Sequence, residues 1–498
     1  MHDHQLSTLT SLSIRERHGR LLTDNGGTKS NRMGFFTNSP LFSLRSIALD
    51  IQAKSQKSFQ YGLLARIAAE HSLTTDSAVS YEVHRDKRLF FNTTAPSSIF
   101  ICGSQGSGKS HTLSCLLENC LAHSDAAVLP KPLSALLFHY DTFISDDGGS
   151  PCEAAFLSSL PGIRVRVVCA PTNINTIRKT YQSLNVDIEP LQIDSGDLNT
   201  KRILDLMAVK SEEGSIPLYI HTVTRILREM RMSQQATGAR FDYESFKSEV
   251  LAADLTSAQL APLNQRLSTL ESFMPRLGSK VKSKKRQVLS GTSWENQPGL
   301  LTIVDLSCPC ISPETACSLF NICLSLFLEQ DMTCGRVIAL DEAHKYMTGS
   351  PESSVLTNTL LSTVRLQRHL GVRVFVSTQE PTIAPSFLDL CTVTIIHRFS
   401  SPAWLRALAA HVALMQQQEP SGANSQDGLA NSRRETPQEI FEKIVRLRTG
   451  EALLFAPSAM LAIGSLSRSL TTETSGSYVR VKVRARLSED GGRSVLAD

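Results

Sequence analysis

Residues 97–112 read Ser97-Ser98-Ile99-Phe100-Ile101-Cys102-Gly103-Ser104-Gln105-Gly106-Ser107-Gly108-Lys109-Ser110-His111-Thr112. The first six positions form a short apolar run, the pattern of a buried strand, and glycines interrupt it at once. Gly103 through Ser110 then fit G-x-x-x-x-G-K-S with no position missing. A helical pattern follows directly, so the predicted order over 97–122 is strand, loop, helix. In that setting the backbone of Gly103, Ser104, Gln105, Gly106, Ser107 and Gly108 turns several N–H groups toward one point, and the helix N-terminus adds its dipole. Such a cradle suits phosphate oxygens. Lys109 is placed to reach the outer phosphates and the Ser110 hydroxyl to hold Mg²⁺, with His111 completing the group at the start of the helix.

A second half of the site lies far downstream. Residues 336–340 are an apolar strand pattern ending in Asp341-Glu342. Asp341 is placed to hold Mg²⁺ through its water shell, and Glu342 to orient and deprotonate an attacking water. A third apolar run, 374–378, ends in Gln379, a side chain suited to sensing a terminal phosphate or the lytic water. Asp305 ends a further strand pattern, 300–306, but has no second acid beside it and reads as structural or coupling. His344, three residues after Asp341, is either a partner of these acids or a surface histidine.

Outward from these motifs the chain alternates strand and helix patterns, the rhythm of a mainly parallel sheet with helices on both faces. Strand patterns are predicted at 134–139, 163–169, 186–193 and 393–397, and helices at 175–184, 200–209, 313–329, 355–370 and 439–448. The expected organisation is an N-terminal arm (1–44), a helical and extended lead-in (45–95), and the first part of the core (96–239). A helical insertion with a basic loop (240–290) follows, then the second part of the core (291–498), interrupted by a polar loop at 415–437. Within the lead-in, Leu63, Ile67 and Ala68 recur at helical spacing. The insertion is expected to form two helices broken near Pro262. Lys280, Lys282, Lys284, Lys285 and Arg286 form a basic run, and residues 478–487, YVRVKVRARL, alternate so that Arg480, Lys482, Arg484 and Arg486 share one face of a predicted edge strand.

Composition bounds the rest. The 498 residues carry 51 Lys+Arg against 47 Asp+Glu, a formal charge of +4 that does not by itself announce a nucleic-acid binder. A hydrophobic fraction of 41% supports a sizeable core and excludes wholesale disorder. No run approaches the ~20 apolar residues needed to cross a bilayer. Eleven scattered cysteines point to a reducing, intracellular compartment, cytoplasmic or nuclear, with mitochondria left open. Cys308, Cys310, Cys317 and Cys323 have one, six and five intervening residues, which is not zinc-site spacing.

Three blocks, in order, resemble the HerA/FtsK superfamily of P-loop ATPases, in its HerA-like branch: SIFICGSQGSGKS, VIALDEAHKYM, and LLSTVRLQRHLGVRVFVSTQEPTIAPSFLDLCTVTIIHRF. The closing EKIVRLRTGEALLF and the alternating tail extend the resemblance over roughly 95–490. It implies a RecA-like P-loop NTPase fold of the α/β class, ATP and Mg²⁺ as ligands, and Gln379 as sensor beside the Asp-Glu strand. It also implies a hexameric ring in which a neighbouring subunit supplies an arginine: Arg368 by position, Arg365 second and Arg398 third. The activity implied is hydrolysis of ATP to ADP and phosphate, coupled to movement along DNA or its remodelling. The alternative is an NTP-dependent switch or scaffold that does not translocate. The first 95 residues lack the pattern of the branch's N-terminal β-barrel, the region 140–290 fits its helical insertion only loosely, and the membrane helices and DNA-reading domain of FtsK translocases have no counterpart.

Overall fold

The computed structural model describes residues 39–43, 60–68, 87–207, 218–275, 291–383, 385–411, 436–459 and 478–491. Three strands and a two-residue strand come from the first part of the chain: β1 (Leu41–Ser43), β2 (Tyr61–Ile67), β3 (Arg88–Asn92) and, later, β5 (Ala127–Val128). The phosphate-loop strand is β4 (Ser98–Cys102), and the loop opens α1 (Lys109–Leu121). Then follow β6 (Ser134–His139), β7 (Arg164–Cys169), α2 (Ile174–Thr180) and β8 (Asp187–Pro190). Four helices intervene, α3 (Thr200–Met207), α4 (Leu218–Thr237), α5 (Tyr243–Leu251) and α6 (Ser257–Ser272). The second part of the core holds β9 (Leu300–Asp305), α7 (Pro313–Glu329), β10 (Arg336–Leu340), α8 (Pro351–Arg365), α9 (Gln367–Leu370), β11 (Val372–Thr378) and α10 (Pro385–Leu390). It closes with β12 (Val393–Ile396), α11 (Pro402–His411), α12 (Pro437–Val445), β13 (Glu451–Phe455) and β14 (Val479–Val483).

All these strands join one sheet, in the order β1-β3-β2-β14-β13-β12-β4-β11-β10-β6-β9-β7-β8, with β5 on β2. From β12 to β8 every pairing is parallel. From β1 to β12 every pairing is antiparallel. The parallel strands β4, β6, β9, β10 and β11 are buried at every position. Burial on both faces is why they read as unbroken apolar runs instead of alternating ones. Successive residues feed opposite layers: Phe100 and Phe138 pack with α3, α7 and α8, whereas Ile99, Ile101, Ala135 and Leu137 pack with α1. Helices therefore cover both faces, and β11 lies between the phosphate-loop strand β4 and the Asp-Glu strand β10. That strand order is the RecA-like arrangement expected.

Three expectations need correction. Leu63, Ile67 and Ala68 are not helical: Leu63 and Ile67 belong to β2, which pairs with β3, β5 and β14. A spacing of four satisfies a period of two as well as one of 3.6, and cross-strand pairing decided between them. The insertion breaks at 252–256 and not at Pro262, because Thr256 and Gln259 form a capping box that starts α6 afresh, while Pro262 is accommodated in its second turn. Finally, β14 is not an edge strand: it lies between β13 and β2. Nor is its cationic side free. Arg480 pairs with Glu451 at 2.9 Å, Lys482 donates to the Thr449 carbonyl at 2.7 Å, Arg484 pairs with Glu118 at 2.7 Å, and Arg486 pairs with Glu153. The basic run at 280–286 and most of the polar loop at 415–437 lie outside the described residues.

The Arg484–Glu118 pair is nearly dry, with side chains 8% and 1% exposed, and ties the chain's last described segment to α1. Arg484 also donates to the Leu63 carbonyl at 2.8 Å, so the same guanidinium links β2 to that helix. Removing one partner of a buried pair leaves a charge uncompensated. Arg484→Met is expected to lower unfolding stability by about 3 kcal/mol, read as a fall in the urea midpoint with little change in slope; an unchanged midpoint would show that the tail does not hold the sheet together.

Candidate nucleotide site

Parallel pairing puts the carboxyl ends of β12, β4, β11, β10, β6 and β9 on one edge, where open α/β sheets bind ligands. Cys102 pairs with Thr378, Leu340 with Val376 and Phe138, and His139 with Asp305. The next residues along these strands, Gly103, Gln379 and Asp341, therefore stand side by side.

The loop after β4 is held from two neighbouring strand ends. The Ser104 N–H and hydroxyl both donate to the Arg398 carbonyl at 2.8 Å, and the Gly450 N–H donates to the Ser107 carbonyl at 3.0 Å. Two glycines are required by contact as well as by backbone angle. A Cβ on Gly103 (φ 153°) would lie 2.7 Å from the His397 Cβ, and one on Gly108 (φ 111°) 3.0 Å from the Gly450 nitrogen. His397 is fully buried beneath the loop. Its Nδ1 donates to the Glu451 carbonyl at 2.9 Å, leaving Nε2 to face the Thr112 hydroxyl at 2.9 Å. Burial pushes its pKa down to about 4, so the ring is neutral and rigidly tautomeric at neutral pH.

Lys109 is 4% exposed and folds back to donate to the Ser104 carbonyl at 3.1 Å. Burial lowers its pKa, while Glu342 and Asp341 act in the opposite direction, which places both acids within electrostatic reach. Asp341 is 4% exposed, and its Oδ1 has no hydrogen-bond partner. Its Oδ2 lies 3.5 Å from His139 Nδ1 and 3.9 Å from Cys152 Sγ. Glu342 is the only non-glycine described residue with positive φ, at 47°. That left-handed twist, costing about 1–2 kcal/mol, turns its side chain toward β11. There Gln379 Nε2 donates to Glu342 Oε2 at 3.2 Å, and His344 Nδ1 accepts the Gln379 N–H at 3.4 Å. His344 Nδ1 is also 3.4 Å from Glu342 Oε2, and burial holds its pKa below the usual histidine range. His344 thus stands beside Glu342, with its Nδ1 engaged by the Gln379 N–H.

The structure thereby brings together Lys109, Ser110, Asp341, Glu342 and Gln379. It does not join the arginines to them. Arg365 ends α8 and Arg368 lies in α9, so a break at Leu366 separates them; both are exposed, and no described contact links either to this site. The Arg398 side chain is exposed too, and it is the Arg398 carbonyl that holds the loop. Asp305 is buried, accepting from the Tyr181 hydroxyl at 2.6 Å and the Ser307 N–H at 3.0 Å. His111 turns its ring away from the loop to the Arg484 carbonyl at 2.7 Å.

Other residues at the site escaped the sequence reading. Glu153 opens a 3-10 turn, Glu153–Ser159, directly after Cys152, and its carboxylate pairs with Arg486. Its pKa is raised by burial, opposed by Arg486 and reinforced by the nearby Asp341. His139 and His397 terminate or follow strands that had been recognised, so strand-end position was the available signal for them. Glu153 and Cys152 sit in an aperiodic stretch with no such signal. The donor set fits a hard divalent cation: a serine hydroxyl, the unpartnered Asp341 oxygen and an adjacent carboxylate. Among the described residues the one His/Cys/Asp/Glu group with ligand-like spacing is His139, Cys152 and Asp341; Cys308, Cys310, Cys317 and Cys323 form none.

No family model matches the chain, and no curated protein matches it in sequence. Among solved structures it is similar to VirB4 of Thermoanaerobacter pseudethanolicus, at 11% identity and TM-score 0.42, covering 78% of this chain and 89% of that one. The plasmid coupling protein TrwB, solved with ADP and Mg²⁺, is 12% identical at TM-score 0.40, covering 88% and 97%. The genome packaging NTPase B204 from Sulfolobus turreted icosahedral virus 2 is 9% identical at TM-score 0.28, covering 78% and 97%. Likenesses this distant carry no assignment. The chain's own features show the fold: with its G-x-x-x-x-G-K-S loop between β4 and α1, Asp341-Glu342 closing β10, and β11 between those two strands, it has a RecA-like P-loop NTPase core.

Proposed function

We propose that the chain hydrolyses ATP to ADP and phosphate as a motor of the HerA-like kind, working as a ring of identical subunits, hexameric by family resemblance. The observation that carries this reading is Glu342: strained backbone aims its carboxylate at Gln379, beside Lys109 and Asp341. Strain of this sort persists where the surroundings impose it, and it concentrates at functional sites.

In this reading Lys109 exchanges the Ser104 carbonyl for phosphate oxygens, while the loop N–H groups hold the β-phosphate. Ser110 and Asp341 would hold Mg²⁺, which supplies charge neutralisation across the phosphates. Glu342 takes a proton from water as its oxygen bonds to the γ-phosphorus, and the bond to the β-phosphate oxygen breaks, leaving ADP. Gln379, already hydrogen-bonded to Glu342, orients that water. Neutral His344 holds the Gln379 backbone and so fixes the pair.

The exposed position of Arg368 supports a role in a neighbouring subunit's site, with Arg365 as the second choice. A guanidinium arriving from outside neutralises charge developing on the transferred phosphoryl group more than ground-state charge, which raises turnover. The polymer proposed is DNA. The paired cations of the tail favour a second reading, an NTP-dependent switch or scaffold, because Arg480, Lys482, Arg484 and Arg486 are committed to protein partners. All eleven cysteines are free, which supports a reducing compartment. Among the described residues no helix is long and apolar enough to cross a membrane.

Glu342→Gln keeps shape and removes the base, so it should bind ATP and Mg²⁺ while losing at least ~100-fold in turnover; wild-type phosphate release would assign the base elsewhere. Arg368→Ala should bind ATP almost normally and hydrolyse slowly, then regain activity when co-assembled with a Lys109→Ala partner. Lack of rescue in rings shown to be mixed would remove the trans assignment. Double-stranded DNA should accelerate ATP turnover several-fold, with an effect that fades as salt rises; turnover indifferent to DNA at low salt would favour the switch.

A further inference from the structure

We propose that His139, Cys152 and Asp341 form a binding site for a thiophilic divalent cation of the zinc class, and that its occupancy opposes the use of Asp341 by Mg²⁺. The site stands on its own geometry; the antagonism with Mg²⁺ rests on the nucleotide-site reading. His139 closes β6, and Asp341 follows the neighbouring β10. These strands pair in parallel, Phe138 with Leu340, and the Asp341 N–H donates to the Phe138 carbonyl at 3.1 Å. The next residues of both strands therefore stand abreast. Cys152 comes from a third element, the loop that enters the Glu153–Ser159 turn.

An imidazole nitrogen, a sulfur and a carboxylate oxygen converge here, all within 4.8 Å of one another. Asp341 Oδ2 is 3.5 Å from His139 Nδ1 and 3.9 Å from Cys152 Sγ. Zinc bonds of about 2.0–2.3 Å at tetrahedral angles hold ligand atoms about 3.3–3.8 Å apart, so this spacing suits one shared ion. A second observation points the same way. His139 is only 6% exposed, yet neither of its ring nitrogens has a hydrogen-bond partner, and Asp341 Oδ1 has none either. Buried polar atoms are normally satisfied; here Nδ1 faces a thiol and a carboxylate. The backbones behind these donors are fixed. The Cys152 N–H donates to the Tyr181 hydroxyl at 3.0 Å, which itself donates to Asp305 at 2.6 Å, and the Leu306 N–H donates to the His139 carbonyl at 3.2 Å.

The donor set selects the cation. Nitrogen and thiolate ligands suit zinc, whereas Mg²⁺ takes oxygen. Three protein ligands leave the fourth tetrahedral position to water. Binding replaces the Cys152 S–H bond with a sulfur–metal bond and releases that proton to solvent. A dication on Oδ2 draws charge from the other oxygen of Asp341 and repels a second dication nearby. Zinc thereby raises the Mg²⁺ requirement of the nucleotide site.

The test uses the full chain, stripped of metal, with Co²⁺ as a spectroscopic stand-in for zinc and thermal unfolding as a fold control. Co²⁺ should give a sulfur-to-cobalt charge-transfer band that Zn²⁺ abolishes by displacement. Cys152→Ala should lack the band, and Cys310→Ala, which alters the exposed cysteine, should keep it. His139→Gln should weaken Zn²⁺ binding more than about 100-fold, beyond the cost of losing a group that only orients a ligand. No band in the unaltered chain, or a band that persists in folded Cys152→Ala, overturns the site. A second measurement follows binding of a fluorescent ATP analogue as Mg²⁺ is titrated, with and without Zn²⁺. Zn²⁺ should raise the Mg²⁺ requirement several-fold in the unaltered chain but not in Cys152→Ala. A cobalt band with an unmoved Mg²⁺ requirement overturns the antagonism. A cobalt band in a chain that binds no ATP analogue with Mg²⁺ overturns the nucleotide reading and leaves the metal site standing.

Discussion

Backbone N–H groups that converge on one point repel each other's partial charges and must be held by something other than their ligand. Here the holding comes from the ends of β12 and β13. The Arg398 carbonyl takes both donors of Ser104, Gly450 reaches the Ser107 carbonyl, and neutral His397 spans from Glu451 to Thr112 beneath the loop. A protonated His397 would place a positive charge under a ring of donors; burial prevents it. The loop is pre-shaped by its neighbours, so a ligand would not have to supply the ordering energy.

The same edge unites the rest of the chemistry because the central strands run parallel. Their register brings Gly103, Gln379 and Asp341 together from positions hundreds of residues apart in the chain. This part was legible in the amino-acid order. Parallel strands buried on both faces are continuous apolar runs, and a polar residue ending such a run stands out. The antiparallel half was much less legible. Leu63 and Ile67 fit two periodicities at once, and pairing with β3, β5 and β14, the last more than 400 positions later, settled which one applied. Glu153 was invisible for a related reason: its stretch has no period, and its partner Arg486 is 333 positions away.

The tail shows how a correct pattern leads to a wrong environment. Alternation of valine with arginine and lysine does describe β14, whose valines are buried. What failed was the expected edge position, since β14 lies between β13 and β2. Glu451, Glu118 and Glu153 meet three of its cations, and Glu118 does so where little water remains. The acids on α1 and in the Glu153 turn carry no mark in their local sequence of being destined for partners so remote.

The interior position of β14 also bears on biosynthesis. A growing chain can pair β1, β3 and β2 early, since they lie close together in sequence, and β5 covers Tyr61 and Gly62 soon after, but Ala65–Ile67 of β2 lack their second strand until β14 has been made. For most of synthesis that strand presents unpaired backbone groups, which invites association with other nascent chains. Closing the gap joins β2 to the last described strand of the sheet in one late, non-local event of the slow kind. Chaperone dependence during translation, relieved once β14 docks, is the behaviour this topology favours.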